Sequence, residues 1–136
     1  MRFGIMDVPR EFATTVADMR LADDLGFSWA GLIDSQCVYR ELYVTAALCA
    51  QATERVRFGP MVTNPITCHP SVAAAAMATL DEVTDGRAIL GIGPVDSAVL
   101  NVGERLARLA DLREYVETVR ALISGREVEY RGSGST

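Results

Sequence analysis

The residues best suited to chemistry are two aspartates, Asp34 and Asp96, each placed shortly after a short apolar run. Carboxylates in such places orient a substrate or exchange a proton. An aspartate after a strand also serves simply to form a turn or to begin the next segment, and the sequence supports both interpretations equally. Asp7, two residues before Pro9, fits a turn better than a site. We therefore take Asp34 and Asp96 as the candidate catalytic residues.

Polar residues also stand after two other apolar runs. One loop extends from Thr63 to Pro70, and the other from Gly93 to Ser97. In folds built on parallel strands, ligands bind at the carboxyl ends of the strands, where such loops meet. His69, the only histidine, stands at a helix entry, where a structural role suits it better than that of a catalytic base. We expect both loops to contribute to one site.

The elements that would position these loops repeat four times. Short continuous apolar runs predict strands, and apolar residues at helical spacing after each run predict helices. Proline in a first helical turn and glycine after a last turn mark helix ends, as at Pro70 and Gly26. The predicted strands are residues 2–6, 29–33, 56–62 and 88–92, and the predicted helices are residues 10–25, 40–53, 70–84 and 104–124.

This alternation indicates an α/β fold with a parallel sheet covered by helices. The right-handed crossover rule leaves two arrangements, an open doubly wound sheet or a segment of a (β/α)8 TIM barrel. A full barrel needs about 250 residues, so a chain of 136 residues can form at most half of one. We expect half a barrel, with four parallel βα units in the order 1-2-3-4 and all helices on one face.

The half-barrel domain is expected to comprise residues 1–132. Residues 127–130 could form one more short strand, and residues 133–136 have the composition of a flexible tail or an engineered linker. In a half barrel the inward side chains of the strands are exposed unless a partner covers them. The predicted inward side chains are Phe3, Ile5, Leu32, Phe58, Val62, Ile89 and Ile92.

Composition excludes several functions. The net charge of −5 disfavours nucleic acid as a partner, because phosphate binding needs a basic face. All 13 basic residues are arginine, so lysine Schiff-base chemistry is excluded. Three cysteines and one histidine, with no Cys-x-x-Cys pair, do not predict a metal site. No apolar segment approaches the roughly 20 residues that cross a bilayer, and we expect a cytoplasmic protein with reduced thiols.

Several segments resemble, in the same order along the chain, the luciferase-like flavin and deazaflavin oxidoreductases, especially the methylenetetrahydromethanopterin reductase branch. Residues 56–65, followed by His69-Pro70, are similar to the third strand and loop of that family. Residues 80–93 are similar to the helix-to-strand passage that follows, and Asp96-Ser97-Ala98 and residues 112–116 fit the next loop and helix. The resemblance covers nearly all of the domain and corresponds to the N-terminal half of the family.

The resemblance implies a (β/α)8 barrel that binds a deazaflavin, coenzyme F420, or FMN near its mouth, with hydride transfer between the cofactor ring and a substrate. It also implies a non-prolyl cis peptide bond that forms a bulge beneath the ring, at the position of Met61–Val62. Asp34 and Asp96 would then lie near the ring and the substrate. The implied cofactor-binding residues are Met61, Val62, Thr63, Asn64, Gly93 and Ser97.

Two functions remain open at this point. In the first, the half barrel binds F420 or FMN and a small-molecule substrate and works as an oxidoreductase, so that the protein positions groups while the cofactor carries the hydride. In the second, it is a non-catalytic half-barrel fragment or engineered module that self-associates. We expect a homodimer that completes an eight-stranded barrel, because the first and fourth strands otherwise leave unpaired edges. The sequence does not decide whether the chain is an enzyme on its own.

Overall fold

The computed structural model describes residues 1–94 and 97–132. Three short strands alternate with helices and are followed by two further helices. In chain order the elements are β1 (Gly4–Asp7), α1 (Phe12–Asp24), β2 (Trp29–Leu32), α2 (Leu42–Gln51), β3 (Arg57–Pro60), α3 (Pro70–Val83), α4 (Ser97–Leu100) and α5 (Leu109–Ile123). The first three predicted βα units are therefore present, with ends that differ from the predicted ones by no more than two residues.

The strands form one parallel sheet in the order β1-β2-β3. The register aligns Gly4 with Trp29 and Trp29 with Arg57. Neighbouring strands joined in sequence by right-handed crossovers have all their connecting helices on the same side. The helix contacts agree, because α2 packs against both α1 and α3, and α3 packs against α5. These strands thus carry a single layer of helices and are not doubly wound.

The predicted fourth strand, residues 88–92, is not a regular strand. It runs parallel to β3 and forms two isolated bridges with that part of the chain, Phe58 with Ala88 and Thr63 with Ile92. Between the bridges the Gly91 N–H donates to the Pro60 carbonyl oxygen at 2.8 Å, but Pro60 has no N–H to donate in return, so the regular ladder is interrupted there. The prediction of a fourth regular strand is wrong for this reason.

One extra residue lies on the β3 side of this interruption. The chain advances five positions from Phe58 to Thr63, whereas its partner advances four, from Ala88 to Ile92. Two residues that face one across a ladder define a β-bulge, which re-aims the side chains that follow it. The Met61–Val62 peptide bond within this bulge is cis, as the resemblance implies.

The two faces of the sheet differ in character. Leu32 and Phe58 are fully buried in the hydrophobic core between the sheet and the helices. The opposite surface, here called the open face, carries Met6 and Trp29, and the Met61 side chain lies against Gly31 on the same side. Met6 is 54% exposed on this face, whereas Trp29 and Met61 are half-buried.

The expectation for the inward side chains is wrong at four positions. Leu32 and Phe58 face the helices, and Ile5 shares the row of Ala30, which is buried on that same side. Ile92 also faces the helices, because it packs against the cluster formed by α3 and α5. Side chains alternate along a strand, so a choice of the wrong parity moves a whole set to the opposite face. The exposed apolar residue of β1 on the open face is Met6.

The last long helix begins later than predicted. Residues 104–108 are not helical, and α5 starts after Arg108. The Arg108 backbone N–H donates to the Asp111 carboxylate at 3.1 Å, and its guanidinium Nε donates to the same oxygen at 2.9 Å. A carboxylate that accepts from the residue before a helix fixes the helix start. Residues 127–130 form no strand; Tyr130 instead packs edge-on against Tyr115.

Buried polar contacts join the elements at the amino ends of the strands. Asp23, near the end of α1, accepts hydrogen bonds from the backbone N–H groups of residues 54–56 at 2.6–3.0 Å. Burial alone would raise the pKa of Asp23, but these N–H groups and the Arg55 guanidinium outweigh it and hold the pKa below its usual range. Arg87 donates to the carbonyl oxygen of Val56 at 2.6 Å. Both contacts hold the start of β3.

We expect Asp23→Asn to lower the free energy of unfolding by about 2 kcal/mol at pH 7, because a single neutral acceptor oxygen leaves buried N–H donors unpaired. Urea unfolding measures the loss. Asp24→Asn is the matched control, since Asp24 is exposed and makes only a 3.8 Å contact with Arg55; its change should stay within about 0.5 kcal/mol.

The stability lost in Asp23→Asn should also depend on pH. The folded-state pKa of Asp23 is lowered, so the stability it contributes is present above its unfolded pKa and disappears as the pH falls through the folded value. The gap between wild type and Asp23→Asn should therefore narrow in acid. Equal losses for Asp23→Asn and Asp24→Asn at pH 7 would contradict the role given to Asp23.

Candidate functional site

The carboxyl ends of the strands bring Asp34 and Thr63 together. Asp34 follows β2, Thr63 follows the bulge at the end of β3, and both residues are buried. Thr63 Oγ1 donates a hydrogen bond to Asp34 Oδ2 at 2.7 Å. A candidate catalytic residue therefore contacts a candidate cofactor-binding residue directly, at the edge of the sheet where ligands of parallel α/β folds bind.

Asp34 has a second donor and an acidic neighbour. Its Oδ1 accepts a hydrogen bond from Gln36 Nε2 at 2.8 Å. Burial raises the pKa of Asp34, the hydrogen bonds from Thr63 and Gln36 lower it, and the charge of Glu41 raises it again; the net result is a raised pKa. A carboxyl group in this state is suited to hold a proton and release it, which is the task of a general acid or base.

Met61 and Val62 precede Thr63 in the bulge, and the Met61 side chain lies against Gly31 on the open face. Both side chains are half-buried. A Cβ on Gly31 would lie 2.4 Å from Met61 Cγ, so only glycine in β2 leaves this space for the Met61 side chain. A Cβ on Gly91 would lie 3.2 Å from Val62 Cγ1. The bulge therefore presents two apolar side chains next to the polar pair.

Asn64 holds its own loop together. Its side chain is fully buried, and its Oδ1 accepts from the backbone N–H groups of Ile66 and Thr67, both at 2.9 Å. Its Nδ2 donates to the Thr67 hydroxyl at 2.9 Å. These contacts fix the shape of the loop after the bulge, and a contact between Asn64 and a cofactor stays a prediction.

Gly93 and Ser97 border the site from the neighbouring segment. The Gly93 N–H donates to the carbonyl oxygen of Thr63 at 3.0 Å. Ser97, at the start of α4, accepts a hydrogen bond from the Ser35 hydroxyl at 3.0 Å. The loops after β2, after β3 and after residues 88–92 are thus connected. Asp96 lies outside the described residues, and its role stays a prediction.

Two further residues of the candidate site were not among the site residues predicted from the sequence. Gln36 Oε1 and the Tyr43 hydroxyl are buried and have no hydrogen-bond partner among the described residues. Gln36 stands two positions after Asp34, a spacing at which turn side chains meet, so its contact was predictable. Tyr43 gives no such signal, because it stands among apolar residues in the first turn of α2.

Two other reactive side chains near the site, Cys68 and His69, have no catalytic role in this arrangement. Burial raises the pKa of the Cys68 thiol, and the charges of Asp34 and Glu41 raise it further, so Cys68 remains a neutral thiol. His69 Nδ1 accepts from the Ser71 N–H at 3.2 Å and caps α3. Within residues 1–94 and 97–132, no three His, Cys, Asp or Glu side chains are grouped to hold a metal ion. In the same part of the chain, no helix is long and apolar enough to cross a membrane.

Comparison with known proteins places the chain in a family. The family profile described as luciferase-like monooxygenase matches residues 1–134. The chain belongs to this family. The resemblance inferred from the sequence is confirmed. A 5,10-methylenetetrahydromethanopterin reductase of Archaeoglobus fulgidus is 35% identical over 135 residues, which are 97% of this chain and 40% of that protein.

Solved structures of the family share the fold. A coenzyme F420-dependent tetrahydromethanopterin reductase from Methanopyrus kandleri superposes with a TM-score of 0.79 at 29% identity, over 96% of this chain and 42% of that one. The oxygenating component of 3,6-diketocamphane monooxygenase from Pseudomonas putida, in complex with FMN, gives a TM-score of 0.78 at 21% identity, over 98% of this chain and 42% of that one. The second comparison concerns the fold alone. The chain spans about two fifths of the length of these luciferase-like proteins, which is consistent with half a barrel.

We expect Asp34→Asn to raise the free energy of unfolding at pH 7 by about 1 kcal/mol, a usual gain when a functional residue is replaced by one that suits its surroundings better. Because the folded-state pKa of Asp34 is raised, the wild type loses stability as the pH rises from its unfolded pKa through the folded one. The advantage of Asp34→Asn should therefore vanish in acid. Thermal unfolding at several pH values measures it, with exposed Asp18→Asn as the control. A lower stability of Asp34→Asn at pH 7 would show that the charge at Asp34 is structural.

Proposed function

We propose that the chain is half of an oxidoreductase barrel that binds a deazaflavin, coenzyme F420, or FMN at the mouth formed by Asp34, Thr63 and the Met61–Val62 bulge. The observation that carries the proposal is the buried Asp34–Thr63 pair, set directly beside that bulge. A reductase relative that is named for its dependence on F420 supports the deazaflavin. A structural neighbour in complex with FMN keeps the flavin in consideration.

The residues at the mouth fit the ring of such a cofactor. A flavin or deazaflavin ring is flat and has N–H and carbonyl groups along one edge. Gln36 Oε1 is a buried acceptor without a partner, which costs about 1–3 kcal/mol unless a donor reaches it; a ring N–H is such a donor. Met61 and Val62 offer an apolar support for the ring. A Cβ on Gly93 would meet nothing closer than Val62 Cγ2 at 3.9 Å, so the space beside Val62 is open.

The bound cofactor would supply the carrier of the hydride, while the chain supplies position and proton control. Thr63 and Gln36 hold the two oxygens of Asp34, so its carboxyl group has one orientation. In that orientation Asp34 would give a proton to the substrate or take one from it. The apolar side chains of the bulge would exclude water from the ring and strengthen these contacts.

A reducing, cytoplasmic location is part of the proposal. Cys37, Cys49 and Cys68 are all free. Burial raises the pKa of the Cys49 thiol to about 12, so Cys49 behaves as a small apolar core residue. Free thiols persist in compartments that keep cysteine reduced.

We expect Val62→Glu to weaken cofactor binding at least about tenfold, because a carboxylate next to the ring must be desolvated for the ring to bind. Fluorescence titration with F420 and with FMN measures the dissociation constants. Val72→Glu is the matched control, since Val72 is exposed on the outer surface of α3 and should leave binding unchanged. If neither cofactor binds the wild-type chain at micromolar concentration, or if both variants weaken binding equally, the proposed site is wrong.

The exposed open face favours a second candidate function, self-association. Met6 is 54% exposed on this face, and the outer edge of β1 pairs with no other described strand. Exposed edges and contiguous apolar surfaces promote pairing with another chain. A second copy offers the same face and, with four parallel segments of its own, would complete an eight-stranded barrel. A homodimer would also place two copies of Asp34 around one mouth.

We expect the wild-type chain to sediment as a dimer, and we expect Met6→Glu to convert it to a monomer because a buried charge at the barrel interior has no partner. Leu21→Glu is a control of equal exposure: Leu21 is also 54% exposed, but it lies on α1. Sedimentation velocity distinguishes the two. A dimer that survives Met6→Glu but dissociates with Val44→Glu would place the interface on the outer surface of α2 instead and would contradict the completed barrel.

A further inference from the structure

We propose that Tyr43 is a positioning residue for Asp34 and acts through the Thr63 hydroxyl, in a directed chain in which Tyr43 donates to Thr63 and Thr63 donates to Asp34. This role rests on the proposed function of Asp34 as the proton-exchanging group. Its geometry, however, is a property of the free chain. It can therefore be tested without any cofactor, and its failure is distinguishable from a failure to bind F420 or FMN.

The direction of these two hydrogen bonds follows from the number of hydrogens that the Thr63 hydroxyl can donate. A threonine hydroxyl has one hydrogen and two acceptor lone pairs. The hydrogen of Thr63 is directed at Asp34 Oδ2 over 2.7 Å. Any further polar neighbour can therefore only donate to Thr63. This leaves the Thr63 oxygen as an acceptor in a buried place, since Thr63 is 1% exposed.

Tyr43 supplies the donor that fits. Its hydroxyl is buried and has no complete hydrogen bond among the described residues. Tyr43 packs against the same cluster as Ile92, and Ile92 is the bridge partner of Thr63, so the Thr63 hydroxyl is the acceptor at hand on this side of the sheet. A buried hydroxyl without a partner costs about 1–3 kcal/mol, so a small rotation that joins Tyr43 to the free lone pair of Thr63 is favoured. Burial raises the pKa of Tyr43, which therefore keeps its proton and can act only as a donor in this pair.

Through this arrangement Tyr43 influences the protonation of the Asp34 carboxyl group. Hydrogen bonds in series polarise one another, so a donor behind Thr63 makes Thr63 a stronger donor to the carboxylate. Glu41 and burial favour the neutral acid, while Thr63 and Gln36 favour the carboxylate. Cys68 and Tyr115 are the other titratable groups near Tyr43; burial raises the pKa of both, so Cys68 stays a neutral thiol and Tyr115 a neutral phenol. Tyr43 adds to the side that favours the carboxylate.

The experiment is a site-specific NMR titration of the Asp34 side-chain carboxyl carbon, assigned by its disappearance in Asp34→Asn. We expect Thr63→Val to raise the pKa of Asp34 by about one unit, the effect of losing a hydrogen bond to a charged group. Tyr43→Phe should raise it by a smaller amount. In the Thr63→Val background, Tyr43→Phe should add nothing, because the link between Tyr43 and Asp34 is already removed.

Two further variants make the result specific. Thr63→Ser keeps the hydroxyl and should preserve both the titration of Asp34 and its response to Tyr43→Phe. Tyr115→Phe removes the other buried phenol hydroxyl that has no hydrogen-bond partner in the described part of the chain. Tyr115 lies on α5 and is not part of the series from Tyr43 through Thr63 to Asp34, so the titration of Asp34 should not move. The proposal is overturned if Tyr43→Phe leaves the Asp34 titration unchanged, or if its effect persists undiminished in the Thr63→Val background.

Discussion

The arrangement of the mouth depends on a single missing hydrogen-bond donor, the backbone nitrogen of Pro60. A regular ladder between β3 and residues 88–92 would need an N–H at this position, and proline has none. Pro60 still accepts a hydrogen bond from the Gly91 N–H at 2.8 Å, but the next N–H on its side that donates to this segment is that of Thr63, after one extra residue, and the register is shifted by one. Without that shift Val62, not Thr63, would stand opposite Ile92. The break therefore turns the hydroxyl of Thr63 towards Asp34 and leaves Met61 and Val62 beside it.

The pair that results is a compromise between opposing contributions. Burial and the charge of Glu41 work against the carboxylate of Asp34, while Thr63 and Gln36 stabilise it. A carboxyl group with a purely structural role is stabilised much more completely, as Asp23 illustrates at the other end of the sheet with three backbone donors and an arginine. The two ends of the same strands thus hold two buried aspartates whose pKa values shift in opposite directions. That contrast separates the end that stabilises the fold from the end that carries the candidate site.

The sequence predicted what depends on local periodicity and missed what depends on contacts across the sheet. The first three strands and their helices were predictable because apolar residues recur with the period of each element. Proline at position 60 was visible in the sequence, but its effect on residues 88–92 required knowing which strand lies beside it. The faces of Leu32 and Phe58 were reversed because a short, wholly apolar strand gives no alternation from which to choose. Asp34 and Thr63 were predictable from the strand-end rule, whereas Tyr43 was not, since its hydroxyl reaches the site from within an apolar helix.

The residues of the candidate site come from a short part of the chain, and this bears on what half a barrel can do. Asp34, Gln36, Tyr43 and Thr63 lie on two neighbouring βα units, and their hydrogen bonds and close contacts need no other element. The open face differs from the polar pair in this respect. Closing a barrel over it needs further strands, which the three-stranded sheet of the described residues does not provide. Polar preorganisation of Asp34 is therefore a local property, while exclusion of water from the proposed cofactor ring would depend on how the barrel is closed. The two requirements separate in one chain: a variant that loses closure should keep the titration of Asp34 and lose affinity for the proposed cofactor.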